Sequence, residues 1–309
     1  MTHFLLPLLH TGGPYPSGWL HSDWRPEPTV ILGVFALIGV YLWFTGPKNR
    51  DAAGERINPV TGKQQILFVT GSLVALIALN PPLDDWADRF LLSAHMFQHL
   101  LLMFVTATFW LMGTPDWLLR RLVSNRIVNR IGYLATRPVP ALVVSSALIG
   151  FWHMPPIYVA ALNSEPIHII QHITFIIASV IAWWPVIGPL SEWPKLTPPM
   201  QCLYLFAIGI PGSTVGAFIT LSKPGIYDPY TQSPRIFGLD LATDQEIAGL
   251  TMWVLASVIY LLVITVIFFR WAGAEEAKEV RGNRATAAKS TEPTPSRLAD
   301  PSASAGLQG

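Results

Sequence analysis

Seven apolar runs, at approximately residues 28–44, 64–80, 91–112, 139–154, 167–187, 200–221 and 247–269, limit what this chain can fold into more than any other feature. A helical span of a bilayer needs about 20 predominantly apolar residues, and each run meets or approaches that length. The chain is 51% hydrophobic and only 13% charged, with a mean hydropathy of +0.42, too apolar for an ordinary soluble domain. An all-α, polytopic membrane bundle of seven transmembrane helices is the expected fold. The fourth run is the shortest, but removing it would put the charges of its flanking loops on the wrong sides.

Lysine and arginine favour cytoplasmic loops. With the N-terminus outside, the inner loops 45–63, 113–138 and 188–199 carry Lys48, Arg50, Arg56, Lys63, Arg120, Arg121, Arg126, Arg130, Arg137 and Lys195. The outer loops hold only Arg89, Lys223 and Arg235, and six more basic residues follow from Arg270 onward. The expected topology is N-out/C-in. Three regions follow: an extracytoplasmic N-terminal segment (1–27), a seven-helix transmembrane domain (28–271) and a disordered cytoplasmic tail (272–309). The tail is rich in Ala, Glu, Lys, Ser, Thr and Pro, with too little apolar surface to offset the entropy of ordering.

The start of the chain lacks a basic n-region and a clean cleavage site, so no cleaved signal peptide is expected. A single cysteine, Cys202, excludes a disulfide framework or a C-x-x-C site within one chain. The net charge of +1 does not inform on nucleic acid, and no nucleic-acid partner is expected. Membrane lipid is one: between Trp117 and Ile131 apolar and basic residues alternate at helical spacing, as in a helix lying on the inner membrane surface. In the sixth span, Gly209-Ile210-Pro211-Gly212-Ser213-Thr214-Val215-Gly216 fits either a mid-membrane break or close helix packing through small residues.

The chemistry lies in the histidines. His95-Met96-Phe97-Gln98-His99 and His168-Ile169-Ile170-Gln171-His172 both read H-x-x-Q-H. Residues four apart on a helix share a face, so each motif stacks two imidazoles. Topology puts both motifs in outer first turns and brings His153, before Pro155-Pro156, to the same level. Polar groups at membrane depth are costly and need partners, and a layer of five imidazoles points to a metal site. Imidazole suits copper, zinc, iron or nickel, and thioethers favour Cu(I). Met96, Met103 and Met154 lie near the histidines, although methionines in a chain like this are packing residues by default. Copper is the preferred metal and zinc the alternative. Gln98 and Gln171 are candidates to orient imidazoles from neighbouring helices. Asp244 is read first as a helix cap and second as a histidine partner, and Asp88, seven residues before His95, shares its face.

Ser93 to Met103, Gly113-Thr114-Pro115, Trp152-His153-Met154-Pro155-Pro156 with Tyr158, the second H-x-x-Q-H, Trp183-Trp184-Pro185, Asp244-Gln245 and Met252-Trp253 together resemble the CtaG family of cytochrome c oxidase assembly factors. This is the multi-spanning family linked to caa3-type oxidases, and the resemblance covers about residues 28–270. It implies a seven-helix, multi-pass protein of the bacterial plasma membrane that matures a haem-copper oxidase without being an enzyme. It further implies cytochrome c oxidase subunits as partners, with copper supplied to the oxidase by way of a donor on the outer side. Its site residues would be the metal ligands His95, His99, His153, His168 and His172, supported by Gln98, Gln171 and Asp244; Met103 and Met154 join the supporting set as nearby thioethers. No thiol pair accompanies them.

Three rival readings use the same residues. A seven-helix zinc-dependent membrane hydrolase would need three protein ligands, a water and an acid or base drawn from Asp88, Glu165, Asp244 or Glu246. A haem-b protein would need axial histidines on facing helices, and pairs four residues apart are too close to serve two stacked haems on one helix. A metal-free scaffold would use the imidazoles as hydrogen-bonding groups.

Overall fold

The computed structural model describes residues 26–50, 54–55 and 57–290. These form helices α1 (Pro28–Thr45), α2 (Gly62–Ala78), α3 (Leu83–Arg89), α4 (Leu92–Gly113), α5 (Asp116–Leu122) and α6 (Arg126–Ala135). They continue with α7 (Pro138–Trp152), α8 (Pro155–Leu162), α9 (Glu165–Ile187), α10 (Pro198–Leu221), α11 (Asp228–Thr231) and α12 (Leu241–Arg284). By length and composition α1, α4, α9, α10 and α12 can each cross a membrane alone. Two bent pairs, α2 with α3 at 46° and α6 with α7 at 84°, bring the number to as many as seven if each pair is one span.

The ends of the helices fix the direction of each pass. The Glu27 amide donates to Asn80 Oδ1 at 3.0 Å, so the start of α1 lies beside the end of α2. The Tyr41 hydroxyl donates to the Gly113 carbonyl at 2.8 Å, which places the end of α1 beside the end of α4. Helices α1, α2, α4, α7, α9, α10 and α12 run back and forth between two ends. One end carries the basic loops; the other gathers the starts of α4, α9 and α12 and the close of α7.

Local sequence sets the helix boundaries. Thr61 and Gln64 form a reciprocal capping box at the start of α2, with Gln64 N–H donating to Thr61 Oγ1 at 3.2 Å and Thr61 N–H to Gln64 Oε1 at 2.9 Å. The expected surface helix over 117–131 is two helices, because Asn125 accepts from the amides of Ile127 (2.8 Å) and Val128 (3.3 Å) and starts α6 afresh. Along α6, Ile127, Ile131 and Leu134 are exposed beside Arg126 and Arg130.

The last helix runs into the stretch expected to be disordered, its backbone helical to Ser290. Residues 273–284 are rich in Ala, Glu, Lys and Arg, good helix formers, and Lys278 pairs with Glu275 at 2.9 Å one turn away. The chain past 290, and the N-terminal segment with His3, His10 and His21, lie outside the described residues.

Within α10 the helix continues through Pro211 without a break. Close packing is the role of this segment's last glycine: a Cβ on Gly216 would lie 2.7 Å from the Gly249 carbonyl oxygen of α12. Reciprocally, a Cβ on Gly249 would come within 2.6 Å of the Gly216 oxygen and the Thr220 nitrogen. Backbone atoms cannot yield as side-chain tips do. Two helices carry a π-turn, at Leu101–Thr106 in α4 and Thr251–Leu255 in α12. A π-turn disturbs the regular helical hydrogen bonding, and in α4 the Met103 carbonyl takes a hydrogen bond from the Ser179 hydroxyl of α9.

Gly249→Ala is therefore expected to force α10 and α12 apart at a cost of about 1–3 kcal/mol, read as a lower melting temperature of the detergent-solubilised protein. Gly212→Ala, where an added Cβ meets nothing within 4 Å, serves as the neutral control.

Candidate metal centre

All five sequence-nominated histidines converge at one end of the bundle. The helical i,i+4 spacing brings the rings of His95 and His99 to 4.3 Å between centroids, and those of His168 and His172 also to 4.3 Å. Across the α4–α9 interface His95 lies 5.5 Å from His168 and 6.3 Å from His172, while His99 lies 5.5 Å from His172. His153, at the end of α7, is 6.0 Å from His99. His95, His168 and His172 can each present a ligand atom within 4.8 Å of the other two.

These rings are buried: His95 is 0%, His99 2%, His153 5% and His172 8% exposed. The Nε2 atoms of His95, His99, His153 and His172 have no hydrogen-bond partner among the described residues. His153 Nδ1 lies 2.7 Å from the Ile149 carbonyl oxygen, so Nδ1 carries the proton and Nε2 keeps its lone pair. Phe175 closes the floor, its ring 4.6 Å from His99 and 5.7 Å from His153.

Carboxylates hold this layer in two ways. Asp88, from α3, reaches Nδ1 of His168 at 3.4 Å and Nδ1 of His95 at 3.6 Å, spanning both H-x-x-Q-H motifs. A carboxylate on Nδ1 favours the tautomer whose Nε2 is a ligand. Asp244 does something the sequence did not disclose. It does not cap its own helix, a task done by Asp240, whose side chain accepts from the Thr243 amide at 2.9 Å. Instead it accepts from Leu92 N–H (2.9 Å), Ser93 N–H (3.0 Å) and Ser93 Oγ (2.5 Å), capping the first turn of the histidine helix α4 from across the bundle. The positive end of the α4 dipole is the compensating charge for this fully buried acid.

The expected supporting residues divide. Gln98 serves neighbours other than an imidazole, donating to the Ala78 carbonyl (2.8 Å) and Asp84 Oδ1 (2.7 Å), so it fixes α3 against α2 and α4. Gln171 is buried beside the layer, with neither amide atom hydrogen-bonded among the described residues. Met103 packs against Trp152 and Phe175, at the level of the floor. Met154 is half exposed and begins α8, and Met96 is buried among Tyr158, Tyr227 and Tyr230.

Those tyrosines are a part of the site that sequence reasoning missed. The Tyr230 hydroxyl donates to the Ala87 carbonyl at 2.7 Å, which leaves Tyr158 to donate to Tyr230 across 2.9 Å. Tyr227 donates to the His153 carbonyl at 2.8 Å, and the Tyr158 ring packs 5.1 Å from His95. Together they bind the backbone next to Asp88 and the backbone of His153 to one aromatic cluster. Tyr158 stood among the residues that carry the family resemblance, but nothing in the sequence joined it to Tyr227 and Tyr230, three apart in a distant loop.

The molecule is thus of the class of polytopic helical membrane proteins that bury a layer of histidines at one end. Residues 39–274 match the model of the cytochrome c oxidase caa3 assembly factor family (Caa3_CtaG), and the chain belongs to that family. No curated protein and no solved structure matches it.

Asp244→Ala is expected to release three donors at the start of α4, at a cost of roughly 1–3 kcal/mol. Hydrogen exchange of the Leu92 and Ser93 amides in detergent would detect the release, with the far end of α4 unchanged.

Proposed function

We propose that this chain assists assembly of a haem-copper cytochrome c oxidase by binding copper as cargo in its histidine layer and passing it to an oxidase subunit. The observation that carries this reading is the set of buried imidazoles whose Nε2 atoms find no partner among the described residues. An unsatisfied buried polar atom costs about 1–3 kcal/mol, and four of them weigh heavily against a net stability of about 5–15 kcal/mol. A metal ion is the partner that such nitrogens fit. His95, His168 and His172 are the primary ligands, with His99 and His153 as neighbouring donors. Asp88 orients His95 and His168, and Asp244 holds the turn from which His95 projects.

The ligand chemistry favours cargo over a permanent structural ion. Neutral nitrogen ligands without thiolate bind copper while leaving it exchangeable, as a donor to another protein must. Family membership supplies the recipient, and with the basic loops inside, the histidine layer faces the outer side of a bacterial plasma membrane.

Purification under reducing conditions with elemental analysis for Cu, Zn and Fe tests the reading. About one copper ion per chain is expected in the wild type, and none in the His95→Ala/His168→Ala variant. Copper affinity should fall as pH falls, since each imidazole must lose its proton to bind. Zinc in place of copper would favour a hydrolase, and a metal-free protein that still supports oxidase maturation after both substitutions would favour a scaffold.

Asp88→Asn should leave the ligands in place but weaken copper binding about 10- to 100-fold, the usual effect of removing a carboxylate behind ligating histidines. A competition titration with a Cu(I) chelator measures this directly, and an unchanged affinity would remove Asp88 from the site.

A further inference from the structure

At the opposite end of the bundle, a cleft of about 370 Å³ opens between the close of α1, the loop that follows it and α5. Among the described residues its charged lining is cationic: Lys48, Arg50 and Arg121. None of the three is in an ion pair among the described residues, and Arg50 donates from Nη1 to the Gly54 carbonyl. The neighbouring Arg120 differs, being engaged by Asp116 at 2.7 Å and Glu192 at 2.8 Å. Arg121 instead lies over the Trp117 ring at 5.5 Å, its guanidinium kept beside the cleft.

The cleft is built by specific contacts. Asn49 and Asn58 bond to each other in both directions, Asn49 Nδ2 to the Asn58 carbonyl at 2.8 Å and Asn58 N–H to Asn49 Oδ1 at 2.9 Å. The Trp117 indole N–H donates to the Pro59 carbonyl at 2.9 Å, closing the wall from the α5 side. Apolar lining comes from Phe44, Ile57 and Trp117. Phe44 belongs to the last turn of a membrane-spanning helix, so the cleft lies at headgroup depth, where tryptophan is also enriched.

Cations and apolar side chains lining one cleft match one chemistry, a phosphate group attached to an apolar body. We infer that this cleft is a binding site for the phosphate headgroup of an anionic phospholipid of the cytoplasmic leaflet. Basic pockets at this level of a helical bundle are suited to such headgroups. The exposed Ile127 and Ile131 of α6, flanked by Arg126 and Arg130, place a second lipid-facing surface close by in sequence. The site is independent of the copper reading, since none of its residues contacts the histidine layer.

Native mass spectrometry of the full chain in detergent tests the assignment, with dioleoyl phosphatidylglycerol, dioleoyl phosphatidylcholine and inorganic phosphate as probes. One phosphatidylglycerol is expected to bind in preference to phosphatidylcholine. Each basic side chain near a headgroup is worth about fivefold in affinity, so Lys48→Gln/Arg121→Gln should weaken binding about 25-fold. Arg126→Gln, outside the cleft, should leave this bound lipid unchanged. If the double variant does not fold, the two single variants should each lose about fivefold. Equal retention of phosphatidylcholine, or undiminished binding by folded variants, would overturn the inference. Displacement of the lipid by millimolar inorganic phosphate would overturn it in favour of a free-phosphate site.

Discussion

The histidine end depends on one carboxylate placed where no water can reach it. Asp244 is fully buried on α12, yet its oxygens face the exposed N–H groups of the first turn of α4. A helix start in a low-dielectric setting has donors that must be met, and α4 begins at Leu92 with no side-chain cap of its own. The last helix of the chain supplies what the fourth lacks. That bond fixes the rotation and depth of α4, and so fixes where His95 and His99 point. The Gly216–Gly249 contact works with it, letting α12 approach α10 closely just one turn beyond Asp244.

Around this fixed point the polar groups fall into two kinds. Asp84, Gln98, Tyr158, Tyr227, Tyr230 and the backbone of His153 join a hydrogen-bonded frame. The Nε2 atoms of His95, His99, His153 and His172 have no hydrogen-bond partner among the described residues. A bundle selected only for stability would satisfy such nitrogens or replace them with apolar side chains. The frame is tied to backbone carbonyls at Ala78, Ala87 and His153, whereas the imidazole layer beside it has no such ties at Nε2 among the described residues.

How far the sequence discloses this follows the range of the interactions. Apolar run lengths and the sidedness of Lys and Arg specify the bundle of membrane-crossing helices, because bilayer thickness and charge bias act on each segment separately. The two H-x-x-Q-H motifs specify their own stacking, because four residues make about one helical turn, and the topology then sets both at one level with His153. Asp88 was legible as a residue on the face of His95, but its reach to His168 required α3 and α9 to meet around α4. Gln98 shows where local reasoning stops: its motif position suggested an imidazole partner, while its amide is taken up by Ala78 and Asp84. Asp244 shows the same at longer range. A capping residue in a first turn is read as capping its own helix, and nothing in the sequence links it to an amide 152 positions away.

The floor beneath the histidines bears on direction. Phe175 is fully buried against His99 and His153, and below it Phe104, Trp183 and Tyr260 pack ring against ring toward the basic end. Such a stack offers few ligands to a cation and would strip its hydration without replacement. Under the copper reading, an ion held by His95, His168 and His172 must then enter and leave from its own end of the bundle. This protein would exchange copper on one side of the membrane and would not conduct it across. Under that reading the geometry suits exchange at one face only, and the basic end of the bundle stays physically separate from the histidine layer.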